Sequence, residues 1–346
     1  MTLHEIFAAI DHSRPYDAAL VFYGLYPMVM AICWVVMSVV YFRRRERGES
    51  AEEDPDFTPF VSVVIPAFEE EDTIARTLDA LLRMDYPAYE VIVVNDGSLD
   101  RTAQVVARYL PTGVVRLVDK VVNEGKAMAL NDAIPACRGE IILFVDSDIV
   151  VTESLLRSMV GHFATPRTGA VTGNPRVANR GSLLRDLQTL EFAAIISVQR
   201  RAQRVWGRIL TCSGAVMAVR RSALIAVGGF SPDMATEDID LTWKLQRNFW
   251  DVRYEASAVV WMQVPPTLSE LWKQRRRWAR GLAQVLKRHW PTIMSWRERR
   301  MWFVFYEATA SILWAYTFAF MTTFWIVAHL SGYAPRGASP LPNIWG

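Results

Sequence analysis

The feature that most constrains this chain is an uncharged run of 25 residues, Ala18 to Phe42. At about 1.5 Å of helical rise per residue, ~20 apolar residues cross a ~30 Å hydrocarbon core. The run exceeds the ~7–15 residues of a signal-peptide core, and its basic cluster follows it instead of preceding it. It reads as a membrane span, and Pro27 inside it predicts a kink of the kind bilayer helices tolerate. A second uncharged run begins after Glu307 and continues to Pro335. Its helical part is expected from Ala308 to about Leu330, with Gly332 and Pro335 as stop signals. Tyr23, Tyr41, Trp302 and Trp325 lie near the span ends, where interfacial aromatics belong.

Arg43, Arg44, Arg45 and Arg47 follow the first run, and Arg297, Arg299 and Arg300 precede the second. Both clusters face the middle of the chain, so the middle is expected in the cytoplasm. Five segments follow: 1–47, a span with its basic edge; 48–59, an acidic, proline-containing linker; 60–262, a cytoplasmic domain; 263–300, amphipathic interface helices; and 301–346, a second span with an outer tail. Apolar residues are 51% and charged residues 21% of the chain, against about 45–50% and ~25% for an ordinary globular protein. That composition excludes disorder. The net charge of +2 argues against a nucleic-acid partner held by bulk charge. Cys33, Cys137 and Cys212 cannot close a disulfide set, and without CxxC a structural zinc site is not expected. They read as small buried hydrophobes.

The middle alternates strand and helix. Apolar runs at Val61–Ile65, Val91–Val94, Val115–Val118 and Ile141–Val145 are separated by helical stretches near 72–84, 101–110 and 126–137. Short, continuously apolar strands between helices indicate a parallel sheet covered on both faces, the doubly wound α/β class. Such sheets bind ligands beyond the carboxyl ends of their strands. Three of those ends carry acids: Glu69 and Glu70 after Phe68, Asp96 in an Asn-Asp-Gly-Ser turn, and Asp146-Ser147-Asp148. No GxGxxG follows a strand and no GxxxxGK[ST] is present, so neither a dinucleotide loop nor a P-loop is expected.

Asp146 and Asp148 can aim two carboxylates into one crevice. Mg²⁺ or Mn²⁺ would join them and also bind a substrate diphosphate; an ordinary turn is the other reading. Asp96 either accepts hydrogen bonds from a base or ribose or caps its own turn. Phe68 either stacks on a base or packs at the sheet edge. Lys126 opens a helix against the helix dipole, which makes sense if it faces a phosphate or the acidic crevice, and otherwise it is a solvated lysine. Thr236-Glu237-Asp238 is either an N-cap with acids in the first turn or the home of a general base, Asp238, with a raised pKa. The basic amphipathic helix around Gln274, Arg277 and Trp278 is suited to a membrane surface. Arg277 can also serve a pyrophosphate there, and Trp278 can stack on a sugar.

An Asp in a D-G-S turn, D-x-D, T-E-D and Q-x-x-R-W, in that order and between membrane spans, resemble the processive membrane glycosyltransferases of family 2. That family includes cellulose, chitin and hyaluronan synthases. Within it, GAVTGNPRV (Gly169–Val177), TEDIDLTWKLQ (Thr236–Gln246) and LWKQRRRWARG (Leu271–Gly281) are similar to bacterial poly-β-1,6-N-acetylglucosamine synthases. The resemblance implies a GT-A fold and an inverting transferase using UDP-N-acetylglucosamine and a growing polysaccharide acceptor. It assigns Phe68, Glu70, Asp96 and Lys126 to the nucleotide, and Asp146 and Asp148 to the sugar-nucleotide and metal. Asp238 beside Glu237 becomes the catalytic base. Gln274, Arg277 and Trp278 hold the diphosphate and acceptor end, and Cys212, Ser213 and Gly214 flank the acceptor. It further implies a bacterial inner-membrane site, contact with membrane lipid, polymer export, and a small membrane partner responding to cyclic di-GMP. A cyclic di-GMP site at Arg43–Arg47 competes with the simpler juxtamembrane reading. Two departures are visible: Glu69 replaces the usual Asn, and the chain ends soon after its second span, so further spans are expected to be absent or supplied by a partner. The competing functions are another family 2 polysaccharide synthase, a single-addition transferase acting on a lipid phosphate, and a non-catalytic nucleotide-binding scaffold.

Overall fold

The computed structural model describes residues 2–47 and 56–336. Most of the expected linker (48–55) and residues 337–346 lie outside the described residues. The described chain divides into two units: residues up to Val36 with those from Phe305 onward, and Met37–Val304. The chain begins with α1 (Leu3–Asp11), opened by a Thr2–Glu5 capping box. It continues with α2 (Arg14–Tyr41), which carries the first uncharged run and contains Pro27.

The second unit is built on one eight-stranded sheet of order β3-β2-β1-β4-β7-β6-β8-β5. The strands are β1 (Val61–Ala67), β2 (Tyr89–Asp96), β3 (Val115–Lys120), β4 (Ile141–Val145), β5 (Val150–Val151), β6 (Thr168–Val177), β7 (Val216–Arg220) and β8 (Asp251–Met262). The helices are α3 (Ile74–Leu81), α4 (Thr102–Ala107), α5 (Lys126–Ala133), α6 (Leu155–Val160), α7 (Leu183–Phe192), α8 (Arg200–Trp206), α9 (Arg221–Ala226), α10 (Glu237–Arg247) and α11 (Leu268–Ile293).

The four expected strands are present and mutually parallel, in the order β3-β2-β1-β4. Their side chains alternate between two cores. Val63, Ile65, Val91, Val93 and Leu143 point to one, and Val64, Ile92, Val94, Ile142 and Phe144 to the other. Burial on both faces is why these strands read as unbroken apolar runs. Beyond these four strands the sheet is mixed. β7 lies antiparallel between β4 and β6, and β8 runs parallel to β6 through two register shifts. An antiparallel insertion brings the start of β7 to the edge where β4 ends, with Val145 opposite Val216. That edge is where the acidic loops emerge.

The last helix, α12 (Trp302–Leu330), carries the second uncharged run. Among the described residues, two helical stretches, Arg14–Glu46 and Trp296–Leu330, are long and apolar enough to cross a membrane. Within the first unit, Phe7, Tyr16 and Tyr23 pack on Met321, Phe324 and Ala328. The Trp34 indole N–H donates to Glu307 Oε1 at 2.8 Å, and Tyr26 and Ser311 hydroxyls meet at 2.8 Å. Side-chain hydrogen bonds of this kind hold apolar helices together where hydrophobicity cannot.

Candidate active site

The loops at the carboxyl ends of β1 and β2 are stitched to each other. Glu69 N–H donates to Ser98 Oγ (3.0 Å), Glu70 N–H to Thr102 Oγ1 (2.8 Å) and Glu71 N–H to Asp100 Oδ2 (3.1 Å). Glu69 adopts φ 55°, a left-handed conformation uncommon outside glycine. Asp96 lies opposite Lys120 in the β2–β3 register, and their side chains pair at 2.8 Å. The same carboxylate accepts from Glu124 N–H (3.2 Å) and Gly125 N–H (2.8 Å). Burial opposes the charge on Lys120, but hydrogen bonds to Asp132, Asp96 and Glu124 hold its ammonium above the ordinary lysine range. Asp96 thus organises the loop that starts α5. Gly97 is required there: its φ is +71°, and a Cβ would lie 2.6 Å from Asn123 N.

Gly125, at φ 90°, ends that loop and α5 starts at Lys126. The ammonium of Lys126 meets Asp146 Oδ1 at 2.5 Å and Glu237 Oε1 at 3.6 Å. The helix-opening lysine therefore faces the acidic crevice. Asp146 N–H donates to Ala215 O at 3.3 Å, tying the end of β4 to the approach of β7. Gly214, in that approach, donates its N–H to Asp238 Oδ2 at 2.9 Å. A Cβ on Gly214 would stand 3.2 Å from that oxygen and 3.5 Å from Lys126 Nζ. Lys126, Asp146, Gly214, Glu237 and Asp238 line a single cavity, floored by Phe144 and Met217.

Burial pushes the Asp238 carboxyl up and the Glu237 charge pushes it further. Lys126 and the N–H groups of Ile239 and Gly214 pull it back, leaving it at about 6. A carboxyl with that value is poised to accept a proton near neutral pH. Burial also raises Asp148 to about 6, helped by the charges of Asp146 and Glu70. Three acids repelling one another at one strand edge suit a bound cation. No group of three His, Cys, Asp or Glu among the described residues can hold an ion by itself. As a pair, Asp146 and Asp148 offer oxygen donors of the kind Mg²⁺ or Mn²⁺ take, and such an ion would need further ligands from outside the chain.

Glu70 hydrogen-bonds Thr73 at the start of α3, and Phe68 is 43% exposed at the end of β1, free to meet a ligand. Ser213 donates its N–H to Thr172 Oγ1 at 2.8 Å. Cys212 meets the expectation that the cysteines are small buried hydrophobes. Its side chain is fully buried among Ile209, Met217 and Leu241, and burial raises its thiol to about 12. Of the three residues, only Gly214 lines the cavity. Thr236 is the N-cap of α10, but its side chain makes no capping bond, and its hydroxyl is buried without a partner.

Gln274, Arg277 and Trp278 lie on α11 outside that cavity lining. Trp278 packs with Val177, Phe192 and Tyr254, and the Arg275 guanidinium covers it at 4.3 Å from the ring centroid. Gln274 Oε1 is buried with no hydrogen-bond partner, and Arg277 is exposed. What fixes α11 is a residue the motif reading passed over. A Cβ on Gly281 would lie 2.1 Å from Thr236 Oγ1, so the helix touches the residue preceding Glu237 and Asp238. A glycine inside a helical pattern was the available signal.

Residues 58–281 match the family model described as "Glycosyltransferase like family 2". The chain is 38% identical over 297 residues to a Staphylococcus epidermidis protein named poly-beta-1,6-N-acetyl-D-glucosamine synthase, covering 84% of this chain and 72% of that one. A Staphylococcus aureus protein of the same name is 36% identical over 296 residues, with the same coverage. A mannosyltransferase from Pyrobaculum calidifontis, solved with GDP-Man and Mn²⁺, superposes with TM-score 0.70 at 23% identity, over 93% of this chain and 90% of that one. That likeness concerns the fold. The matched family model spans the whole parallel half of the sheet and every acid of the cavity, and the chain belongs to glycosyltransferase family 2.

Proposed function

We propose that this chain transfers N-acetylglucosamine from UDP-N-acetylglucosamine to the growing end of a β-1,6-linked polymer, with inversion. The observation that carries the reading is the meeting of Lys126, Asp146, Gly214, Glu237 and Asp238 in one cavity at the carboxyl edge. It occurs in a family 2 chain whose relatives are named for that synthesis.

Asp238 takes the proton of the acceptor hydroxyl. The acceptor oxygen then bonds to the anomeric carbon from the face opposite UDP, and the electrons of the breaking carbon–oxygen bond leave with the diphosphate. One displacement converts an α donor to a β product, and no covalent intermediate on the enzyme is needed. Gly214 N–H and Lys126 hold Asp238 at a pKa low enough to be ionised near pH 7. Phe68, Glu70 and Asp96 form the nucleotide side, with Lys126 beside the phosphates. Arg277 balances diphosphate charge, the unpaired Gln274 carbonyl accepts from a ligand hydroxyl, and Trp278 borders the acceptor. Asp146 and Asp148 would hold a divalent ion, which would supply charge to stabilise UDP as a leaving group.

The same proposal puts the catalytic unit on the cytoplasmic side of a bacterial inner membrane, with the polymer exported. It includes activation through a small membrane partner that responds to cyclic di-GMP. Two apolar helices and the arginines flanking them support that topology. The test is UDP release and product mass from membranes holding the chain, UDP-N-acetylglucosamine and Mg²⁺, followed by linkage-specific digestion. Polymer cleaved by a β-1,6-specific hydrolase supports the reading. Polymer resistant to it, or made only from another UDP-sugar, overturns the sugar and linkage. Asp238→Asn should bind UDP and not turn over.

A further inference from the structure

Below the cavity, the proposed mechanism leaves a buried histidine unused. His289 on α11 is 2% exposed, and Asp240, two residues after Asp238 in α10, is 0% exposed. His289 Nε2 meets Asp240 Oδ1 at 2.9 Å, and its Nδ1 meets Arg247 Nη1 at 2.8 Å. A guanidinium can only donate. Nδ1 is therefore the acceptor, the ring is neutral, and Nε2–H donates to Asp240. The other Asp240 oxygen accepts from Ser231 Oγ at 2.6 Å, with Lys244 at 3.7 Å and Arg288 at 3.6 Å. Arg247 also faces Glu298 at 3.6 Å. The His289 ring lies 5.5 Å from that of the fully buried Trp243. Every polar atom of the imidazole is thus committed to α10.

The spacing explains what this does. The buried residues of α11 are Gly281, Val285, His289 and Ile293, a row with steps of four. They meet Thr236 at Gly281 and Asp240 with Arg247 at His289. That row touches α10 at its opening residue and along its length, which holds the two helices in one register. Ala235 N–H to Gln284 Oε1, at 3.0 Å, adds a further tie. Arg277 stands four residues before Gly281 on the same row of α11. Asp238 stands two residues after Thr236 at the opening of α10.

We propose that His289, bridging Asp240 and Arg247, is a positioning residue that locks α10 to α11 and so sets Asp238 relative to the Gln274–Trp278 segment. The inference rests on the transferase reading only for what those two groups do.

The experiment compares the full chain in detergent with His289→Leu and His289→Gln. A glutamine amide can still accept from Arg247 and donate to Asp240, whereas leucine fills the space and does neither. For His289→Leu, the expected result is a fall in kcat of about tenfold or more with donor KM within about threefold, the split that marks lost transition-state alignment. Hydrogen exchange at the amides of residues 240–243 should rise by about tenfold while those of β1 and β4 stay protected. His289→Gln should recover most of both. If His289→Leu keeps wild-type kcat and exchange, or if glutamine fails as badly as leucine, the proposal is overturned. Should the leucine variant not fold, His289→Asn, too short to reach both partners, takes its place against glutamine. Exchange needs no substrate. A wild-type chain inert toward UDP-N-acetylglucosamine and other UDP-sugars would point to the absent membrane partner or against the transferase reading, and the exchange comparison would still decide the role of His289.

Discussion

The pH dependence of turnover should report the ionisation of Asp238, and two substitutions should move it in opposite directions. Its carboxyl sits at about 6 against an ordinary 3.8. A general base must be ionised, so kcat/KM should fall on an acid limb centred near pH 6. Glu237→Gln removes a negative neighbour and should carry the limb to lower pH. Lys126→Met removes a positive one and should carry it higher. Two unit charges about 4 Å apart interact by about 1 kcal/mol in water and about 4 kcal/mol at an effective dielectric of ~20. Asp238 keeps part of its surface in solvent, so the lower figure governs. At about 1.4 kcal/mol per pKa unit, each substitution should shift the limb by about one unit. Lys126→Met also strips a partner from Asp146 and will lower the maximum; the position of the limb is the readout. The shift has a stability counterpart. A carboxyl raised in the folded state binds more protons folded than unfolded, so its contribution falls as pH rises from about 4 to about 6. From 3.8 to about 6 amounts to about 3 kcal/mol, discounted to about 1–2 kcal/mol for partial exposure. Asp238→Asn should therefore be more stable than wild type by that amount at pH 7.5 and nearly equal to it at pH 4, read from denaturant midpoints. If both charge substitutions move the limb the same way, or Asp238→Asn gains no stability at pH 7.5, the electrostatic account of the base fails.

Other positions yield shorter predictions. Gly281→Ala gains about 1 kcal/mol of helix propensity but overlaps Thr236, an overpacking cost of about 1–3 kcal/mol. It should lower the melting temperature, and Thr236→Ala, which removes an unpartnered hydroxyl, should restore it; purely additive effects in the double variant would refute the contact. Gly97→Ala meets backbone at 2.6 Å with φ at +71° and should destabilise by about 2 kcal/mol or more, seen as an early calorimetric transition. Cys212 should resist alkylation in the folded chain and react after denaturation, and Cys212→Ala should keep kcat within about threefold, since the thiol is buried and only thiolate reacts. Rapid labelling without unfolding would return it to the acceptor side.

The parallel half of the sheet was legible because each strand is covered on both faces, so its apolar run is unbroken. The rest was not, and the residues say why. β8 carries Asp251, Arg253 and Glu255 into the sheet by pairing them: Arg204 meets Asp251 at 2.9 Å, and His162 meets Glu255 at 2.9 Å. The first half of that strand therefore has no apolar signature, which leaves only Ala258–Met262 as an unbroken run. β6 contains Pro175, which cannot donate to a ladder and is confined to strand edges. β7 pairs with β6 only at residues 170–172, and beyond them only β8 is registered alongside, so Pro175 sits where one flank is free. The pairing of Lys126 was legible because a lysine opening a helix against its dipole calls for a counter-charge, and Asp146 supplies it at 2.5 Å. The burial of Cys212 was legible from its type, because a free cysteine without a CxxC partner most often packs as a small hydrophobe.

The relation between the two helical motifs was the deepest layer, and it follows from one missing Cβ. Thr236 and Gly281 are far apart in sequence, and neither is an acid, a base or a ligand. Yet a Cβ at Gly281 would lie 2.1 Å from the threonine hydroxyl, closer than any real packing allows. Only glycine lets α11 approach the residue that opens α10 this closely. A side chain that reacts can be read from its type. A backbone that must come close is visible in sequence only as an absence.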